Sequence, residues 1–206
     1  MEEKSITTPV NSDVISNLIA GDKVLISGII YTARDAAHKR LVNLIDDNNE
    51  LPFDIMNQII YYVGPTPAKP GEIIGSCGPT TSYRMDSYTP KLLEKGLKCM
   101  IGKGIRNRDV IESMKRHGAV YFGAIGGAGA LISKSIVKSE IIAYDDLGAE
   151  AIHKLTVKNF PVIVIIDSKG NNLYENSNKS LKEVQWCLQF TKNHFRNIAN
   201  GKVNWR

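Results

Sequence analysis

Polar, glycine-rich junctions that join apolar runs to helical ones restrict the fold of this chain more than any other feature. Residues 23–31 read as a largely buried strand. They pass into Thr32-Ala33-Arg34-Asp35-Ala36-Ala37-His38, which opens a predicted helix lasting to about Ile45. Gly78-Pro79-Thr80-Thr81-Ser82-Tyr83-Arg84 leads into a predicted helix over 82–95, stopped by Gly96. The apolar run 119–125 meets Gly126-Gly127-Ala128-Gly129-Ala130, read as opening a helix that lasts to about Val137. Strands alternating with helices through such turns define an α/β sheet, whose ligands gather beyond the carboxyl ends of its strands.

The rest of the chain fits around this frame. A short helix is expected over 10–20, capped by Asn11 or Ser12, and another over 107–117 ended by Gly118. Strands are expected at 59–63 and 97–101, and three more apolar runs at 140–144, 152–157 and 162–166. A hairpin-like pair near the end adds antiparallel members, so the sheet should be mixed. With 206 residues the chain can bury one substantial core. No apolar run is long enough to cross a bilayer, and the polar start Met1-Glu2-Glu3-Lys4-Ser5 is not followed by a signal-type apolar stretch. The expected compartment is the cytoplasm. A net charge of +5 is spread along the chain without a Lys/Arg block or aromatic–basic interleaving, which argues against nucleic acid and suits a small anion.

Cys77, Cys99 and Cys187 show no CxxC pairing, which argues against a disulfide framework or a self-contained metal site, so no metal ligand is expected in this chain. The junctions carry the more specific chemistry. Arg34 and Arg84 sit at or near predicted helix starts, where the helix dipole disfavours a cation, and a bound carboxylate would explain both. Each has an ordinary reading as well. Thr80 or Thr81 serves as an N-cap, Arg34 pairs with Asp35 on the surface, and Lys103 is solvated. His38 fills a core position, Cys77 is a small buried thiol, and the Gly126–Gly129 run provides close helix–strand packing.

Taken in order, the motifs form a larger pattern. Arg34-Asp35-Ala36-Ala37-His38-Lys39-Arg40 is followed by Tyr61-Tyr62-Val63-Gly64-Pro65, by Gly78-Pro79-Thr80-Thr81 with Arg84-Met85-Asp86, and by Gly102-Lys103-Gly104. The series continues through His117-Gly118-Ala119-Val120-Tyr121, Ile125-Gly126-Gly127-Ala128, Leu147-Gly148-Ala149-Glu150-Ala151-Ile152 and Asp167-Ser168-Lys169-Gly170. It resembles the iron–sulfur-dependent class I fumarases. The likeness is to the C-terminal domain of the single-chain enzymes and to the β subunit of two-subunit fumarases and tartrate dehydratases. It runs to about Asn176, which sets a catalytic domain at 1–176 and a C-terminal helical extension at 177–206.

The resemblance implies a swivelling β/β/α domain of the fumarase C-terminal type, a mixed sheet with flanking helices. It implies a hydro-lyase that reversibly hydrates fumarate to (S)-malate. A 4Fe–4S cluster would be held by a partner α subunit and not by this chain, which is therefore expected to be inactive alone. In family terms Thr80 matches the base for the carbon-bound proton, while Arg34, Arg84 and Lys103 match the residues that clamp the substrate carboxylates. Gly78, Pro79, Thr81, Asp86 and His38 are the expected supports. The partners implied are the α subunit in a hetero-oligomer and a small dicarboxylate, with a homodimer admitted for the isolated chain. L(+)-tartrate and mesaconate are the rival substrates, and a non-catalytic anion-binding module is the rival from another class. The Gly123–Ala128 segment looks more like the fumarase form.

Overall fold

The computed structural model describes residues 3–124 and 129–175. The expected C-terminal helix and most of the Gly126–Ala130 junction lie outside those residues. Seven strands and five α-helices are described: β1 (Lys4–Thr7), α1 (Ser12–Ser16), β2 (Lys23–Thr32), α2 (Asp35–Asp46), β3 (Ile59–Tyr61), α3 (Thr89–Glu94), β4 (Cys99–Gly102), α4 (Arg108–His117), β5 (Val120–Gly123), α5 (Gly129–Ile132), β6 (Ile136–Ala143) and β7 (Ile152–Ile166). Three 3-10 turns, Ser82–Met85, Ser133–Ser135 and Asp145–Glu150, lie between them.

The sheet closes on itself. The strands β2, β3, β4 and β5 run parallel, and β7 lies antiparallel to both β5 and β2. These five strands form a mixed barrel, a closure that removes the exposed edges of an open sheet. β1 extends β2 in parallel register, and β6 pairs antiparallel with the first half of β7. Mixed α/β architecture with flanking helices is thus what the alternation anticipated.

Side chains alternate with the period of two that a strand imposes. Val24, Ile26, Ile30, Ile59, Tyr61, Cys99, Ile101, Val120, Phe122 and Val164 belong to one buried cluster, which fills the barrel. Their neighbours Ile60, Tyr62, Met100, Tyr121, Ile163 and Ile165 face outward into a second cluster beneath the helices, with Ala37, Leu41, Leu92, Leu93, Val110 and Met114. Both faces being buried explains why the strands read as continuous apolar runs and not as alternating ones.

Local chemistry sets the helix limits. Asn107 caps α4 by accepting from the Val110 amide at 2.8 Å, and Gly118 ends it at φ +61°. The first helix is shorter than the 10–20 reading. The Ser16 hydroxyl and the Asn17 side-chain Nδ2 both donate to the Asp13 carbonyl at 2.9 Å, drawing on an acceptor the helix would otherwise use. The helix expected over 82–95 is two pieces, a 3-10 turn and α3. Pro90 lacks an amide proton and is accommodated only in the first turn of a helix, so the chain restarts at Thr89.

The remaining differences lie at the ends. β1 was not anticipated from the polar N-terminal sequence. The runs at 152–157 and 162–166 are one strand, β7, which continues through Asn159 at φ +51°. The helix expected to reach Val137 gives way to β6 at Ile136.

Phe160 is fully buried and meets Tyr61 edge-on at 5.3 Å inside the barrel. Phe160→Ala is expected to cost about 3–5 kcal/mol through lost transfer energy and the cavity left behind. Urea unfolding of the two chains measures this.

Candidate active site

Because β2, β3 and β4 are parallel, their carboxyl ends share one rim of the barrel, and the polar junctions meet there. Arg34 directly precedes α2 as its N-cap, with no side-chain cap of its own. A carboxylate distant in sequence supplies the missing acceptor. Glu150 Oε2 takes the Ala36 amide at 3.0 Å while Oε1 lies 3.3 Å from Arg34 Nη2. The cation that the helix dipole would disfavour is thereby offset by Glu150 and by Asp35 in the first turn.

Arg34 and Arg84 come together through Asp35. Arg84 Nε lies 2.9 Å from Asp35 Oδ1, and Arg34 Nη2 lies 3.9 Å from Oδ2. Arg34 Nε and Asp35 Oδ2 are buried and have no hydrogen-bond partner among the described residues. A Cβ at Gly64 would stand 2.8 Å from Arg34 Nη1 and 2.9 Å from the Ala149 carbonyl oxygen. Glycine at this position keeps open the lane through which the Arg34 side chain runs.

Thr80, Thr81 and Lys103 form a second group on the same rim. The Thr80 amide and the Thr80 hydroxyl both donate to the Tyr62 carbonyl at 2.8 Å. Thr81 and Lys103 form an isolated parallel bridge, in which the Ser82 amide donates to the Lys103 carbonyl at 2.9 Å and the Lys103 amide to Thr80 at 3.3 Å. The segment from Cys77 thus docks as a pseudo-strand beside the end of β4. Lys103 is exposed and makes no ion pair among the described residues. Gly78 and Pro79 carry the chain into this segment from Cys77, whose amide donates to the Gly129 carbonyl at 3.1 Å. The Cys77 carbonyl accepts the Tyr61 hydroxyl from inside the barrel.

Two of the expected supports stand behind the rim. Asp86 is buried and turned away from Arg34 and Thr80; Oδ1 accepts Arg106 Nε at 2.6 Å and Oδ2 accepts the Asn107 amide at 2.7 Å. His38 is fully buried, with Nδ1 2.9 Å from the Arg34 carbonyl oxygen and its ring edge-on to Tyr62 at 5.2 Å. Burial pushes its imidazole down to about 4, so the ring is neutral and Nδ1–H donates to Arg34.

Sequence reasoning missed Arg106, Glu150 as the cap of α2, and the tyrosines Tyr62 and Tyr121. Arg106 Nη2 donates to Thr89 Oγ1 at 2.7 Å and Nη1 to the Tyr62 hydroxyl at 3.3 Å, with the guanidinium over both tyrosine rings at 5.3 and 5.2 Å. The Tyr121 hydroxyl meets Ser82 Oγ at 2.8 Å and donates to the Gly104 carbonyl at 3.0 Å. The one available signal was Arg106 lying three residues beyond Lys103, in the loop that enters α4.

The residues described do not suit an iron–sulfur cluster. No group of three or more His, Cys, Asp or Glu among them could hold a metal ion. Cys77 and Cys99 are buried free thiols, Cys77 pushed up to about 12 and Cys99 higher still by desolvation, the reverse of the thiolate a cluster needs. Cys187 lies outside the described residues.

A closed five-stranded mixed barrel with flanking helices, gathering arginines, a lysine and threonines at one rim, defines a mixed α/β domain. The chain belongs to the fumarase C-terminal family: the model described as "Fumarase C-terminus" matches residues 2–177. It is 37% identical over 175 residues to a putative L(+)-tartrate dehydratase subunit beta of Methanocaldococcus jannaschii, covering 82% of this chain and 90% of that one. It is 38% identical over 163 residues to the aerobic class I fumarate hydratase of Escherichia coli (strain K12), covering 78% of this chain and 30% of that enzyme. A putative class I fumarate hydratase of Geobacillus stearothermophilus is 37% identical over 184 residues, covering 87% and 35%. The chain therefore spans about a third of the length of its fumarase relatives and nearly the whole of the beta subunit.

The buried imidazole gives the domain a testable acid sensitivity. An unfolded chain takes up a proton near 6.5, whereas the folded His38 does so only near 4. Between these values the unfolded state binds more protons, so stability falls as the pH drops. The loss from His38 between pH 7 and pH 5 is expected to be about 2 kcal/mol. Urea midpoints at the two pH values for wild type and His38→Asn measure it, and the variant should show a shallower dependence.

Proposed function

We propose that this chain is the β subunit of an iron–sulfur hydro-lyase that reversibly hydrates fumarate to (S)-malate. The observation that carries the reading is the gathering of Thr80, Arg34, Arg84 and Lys103 at the shared rim of β2, β3 and β4, in a chain of the fumarase C-terminal family. The 4Fe–4S cluster belongs on an α subunit, together with the acid that protonates the departing hydroxyl, and no part of its chemistry falls to residues of this chain.

The roles follow from chemistry. Arg34, Arg84 and Lys103 bind the two carboxylates of the substrate. Guanidinium groups present paired N–H donors that match a carboxylate, and Lys103 adds a mobile point charge. In the dehydration direction Thr80 removes the proton from the carbon next to one carboxylate. A dianionic aci-carboxylate then develops on that group, and the clamp that binds the carboxylate in the ground state binds the added charge more strongly. A threonine hydroxyl is a weak base: to take the carbon-bound proton as an alkoxide, Thr80 must first release to solvent the proton it donates to the Tyr62 carbonyl, and the positive charge of the clamp lowers the cost of that loss. The Tyr62 carbonyl fixes the direction of Thr80 Oγ1.

L(+)-tartrate is the second reading, favoured by the coverage of 90% of the Methanocaldococcus jannaschii beta subunit. Tartrate is a dicarboxylate of the same carbon-chain length, and the same clamp and base would serve it.

Anaerobic co-expression with an α subunit, reconstitution of the cluster and assay of fumarate, (S)-malate and L(+)-tartrate tests the proposal. Turnover of fumarate is the expected result, and a reconstituted complex that turns over none of the three overturns it. Thr80→Ala is expected to lower kcat by a factor of about 100 or more with little change in KM, as for loss of a proton-transferring group. Arg34→Ala should raise KM as well.

A further inference from the structure

The proposed clamp contains a carboxylate of its own, and its geometry assigns that group a task. Asp35 stands between the two arginines, with Oδ1 2.9 Å from Arg84 Nε and Oδ2 3.9 Å from Arg34 Nη2. The side chains of Arg34, Asp35 and Arg84 are 21%, 28% and 44% exposed, so the cluster is open to the rim without being freely solvated. Two cations held side by side repel each other, and a single carboxylate between them removes most of that cost. Arg84 also springs from a 3-10 turn of four residues, where an untethered side chain would keep its full rotamer freedom.

Which nitrogen Asp35 engages decides between two roles. A carboxylate that competed with substrate would sit on the distal edge of the guanidinium, across Nη1 and Nη2, where a ligand is gripped bidentately. Asp35 meets Arg84 at Nε, 2.9 Å from Oδ1, on the side of the guanidinium nearest its own chain. The Arg84 side chain is 44% exposed beside this contact. Arg34 is steadied in the same way from another side, by Glu150 at 3.3 Å, and its Nε is buried without a partner. Among the described residues the cluster keeps one unpartnered donor, Arg34 Nε, and one unpartnered acceptor, Asp35 Oδ2, both buried.

We infer that Asp35 is a positioning residue. It ties Arg84 to Arg34 and so sets where the two guanidinium groups meet a dicarboxylate, without itself touching the substrate. This rests on the hydro-lyase reading above. Asp35→Asn keeps the acceptor oxygen and loses the charge, whereas Asp35→Ala loses both.

In the reconstituted complex, with (S)-malate and L(+)-tartrate as probes, KM is expected to rise about threefold for Asp35→Asn and about tenfold or more for Asp35→Ala, with kcat within about threefold of wild type. Side-chain 15N NMR of the full chain alone gives a second readout. The Arg84 Nε–H resonance, assigned by its loss in Arg84→Lys, should be protected from exchange in wild type and broadened in Asp35→Ala. An unchanged KM in both variants, beside an active wild-type complex, overturns the inference alone. A lowered KM also overturns it, by making Asp35 a competitor. A wild-type complex that turns over neither probe nor fumarate overturns the hydro-lyase reading and this inference with it.

Discussion

The rim depends on one buried ion pair. Arg106 has a fully buried side chain, and taking a guanidinium out of water costs several kcal/mol unless its donors are met. Asp86, Thr89 and Tyr62 meet them, and the rings of Tyr62 and Tyr121 cover its faces. The pair joins the turn that carries Arg84 to the loop that carries Lys103, and holds both against Tyr62, whose carbonyl orients Thr80. Removing either charge would strand the other in the core, so the two loops move as one body or not at all. The Tyr121 hydroxyl, bonded to both Ser82 and Gly104, reinforces the same junction.

Local signals were legible where they were strong. The buried run at 23–31 became β2, and Asn107 and Gly118 bounded α4 as their chemistry requires. The break between the Ser82–Met85 turn and α3 was present in the sequence as Pro90, yet periodicity alone carried the helix through it. Barrel closure was not legible, because β2 and β7 pair across more than a hundred residues and nothing local records that register. The resemblance drew attention to Arg34, Thr80, Arg84 and Lys103. It said nothing of Arg106, because a buried arginine and a surface arginine look alike in sequence.

Where local rules fail, the failure marks the rim. Arginine is a poor N-cap, and Arg34 contributes no capping bond to α2. The deficit is made good by Glu150, which lies just before β7 and is more than a hundred residues away in the chain. An ordinary Ser or Asp at that position would stabilise the helix by about 1 kcal/mol, but would place no cation at the strand ends. The same trade appears at Gly102, where any Cβ would overlap the Ser82 hydroxyl and crowd Tyr62. The barrel gives up side-chain packing there so that the Thr81–Lys103 bridge can form.

The distribution of charge and thiols separates the rim from the core. Every cation expected in the clamp is on the rim, and two of the three are already oriented by carboxylates of the same chain. Both described cysteines are sunk in the barrel core with their thiols pushed toward the protonated form, where they pack as small apolar groups. Under the proposed hydro-lyase reading, carboxylate recognition and proton transfer would both fall to the rim of this one domain. A metal group would have to approach from outside the described residues. The match to nearly all of a beta subunit but about a third of a class I fumarate hydratase shows that a domain of this kind occurs both as a separate chain and within a longer one.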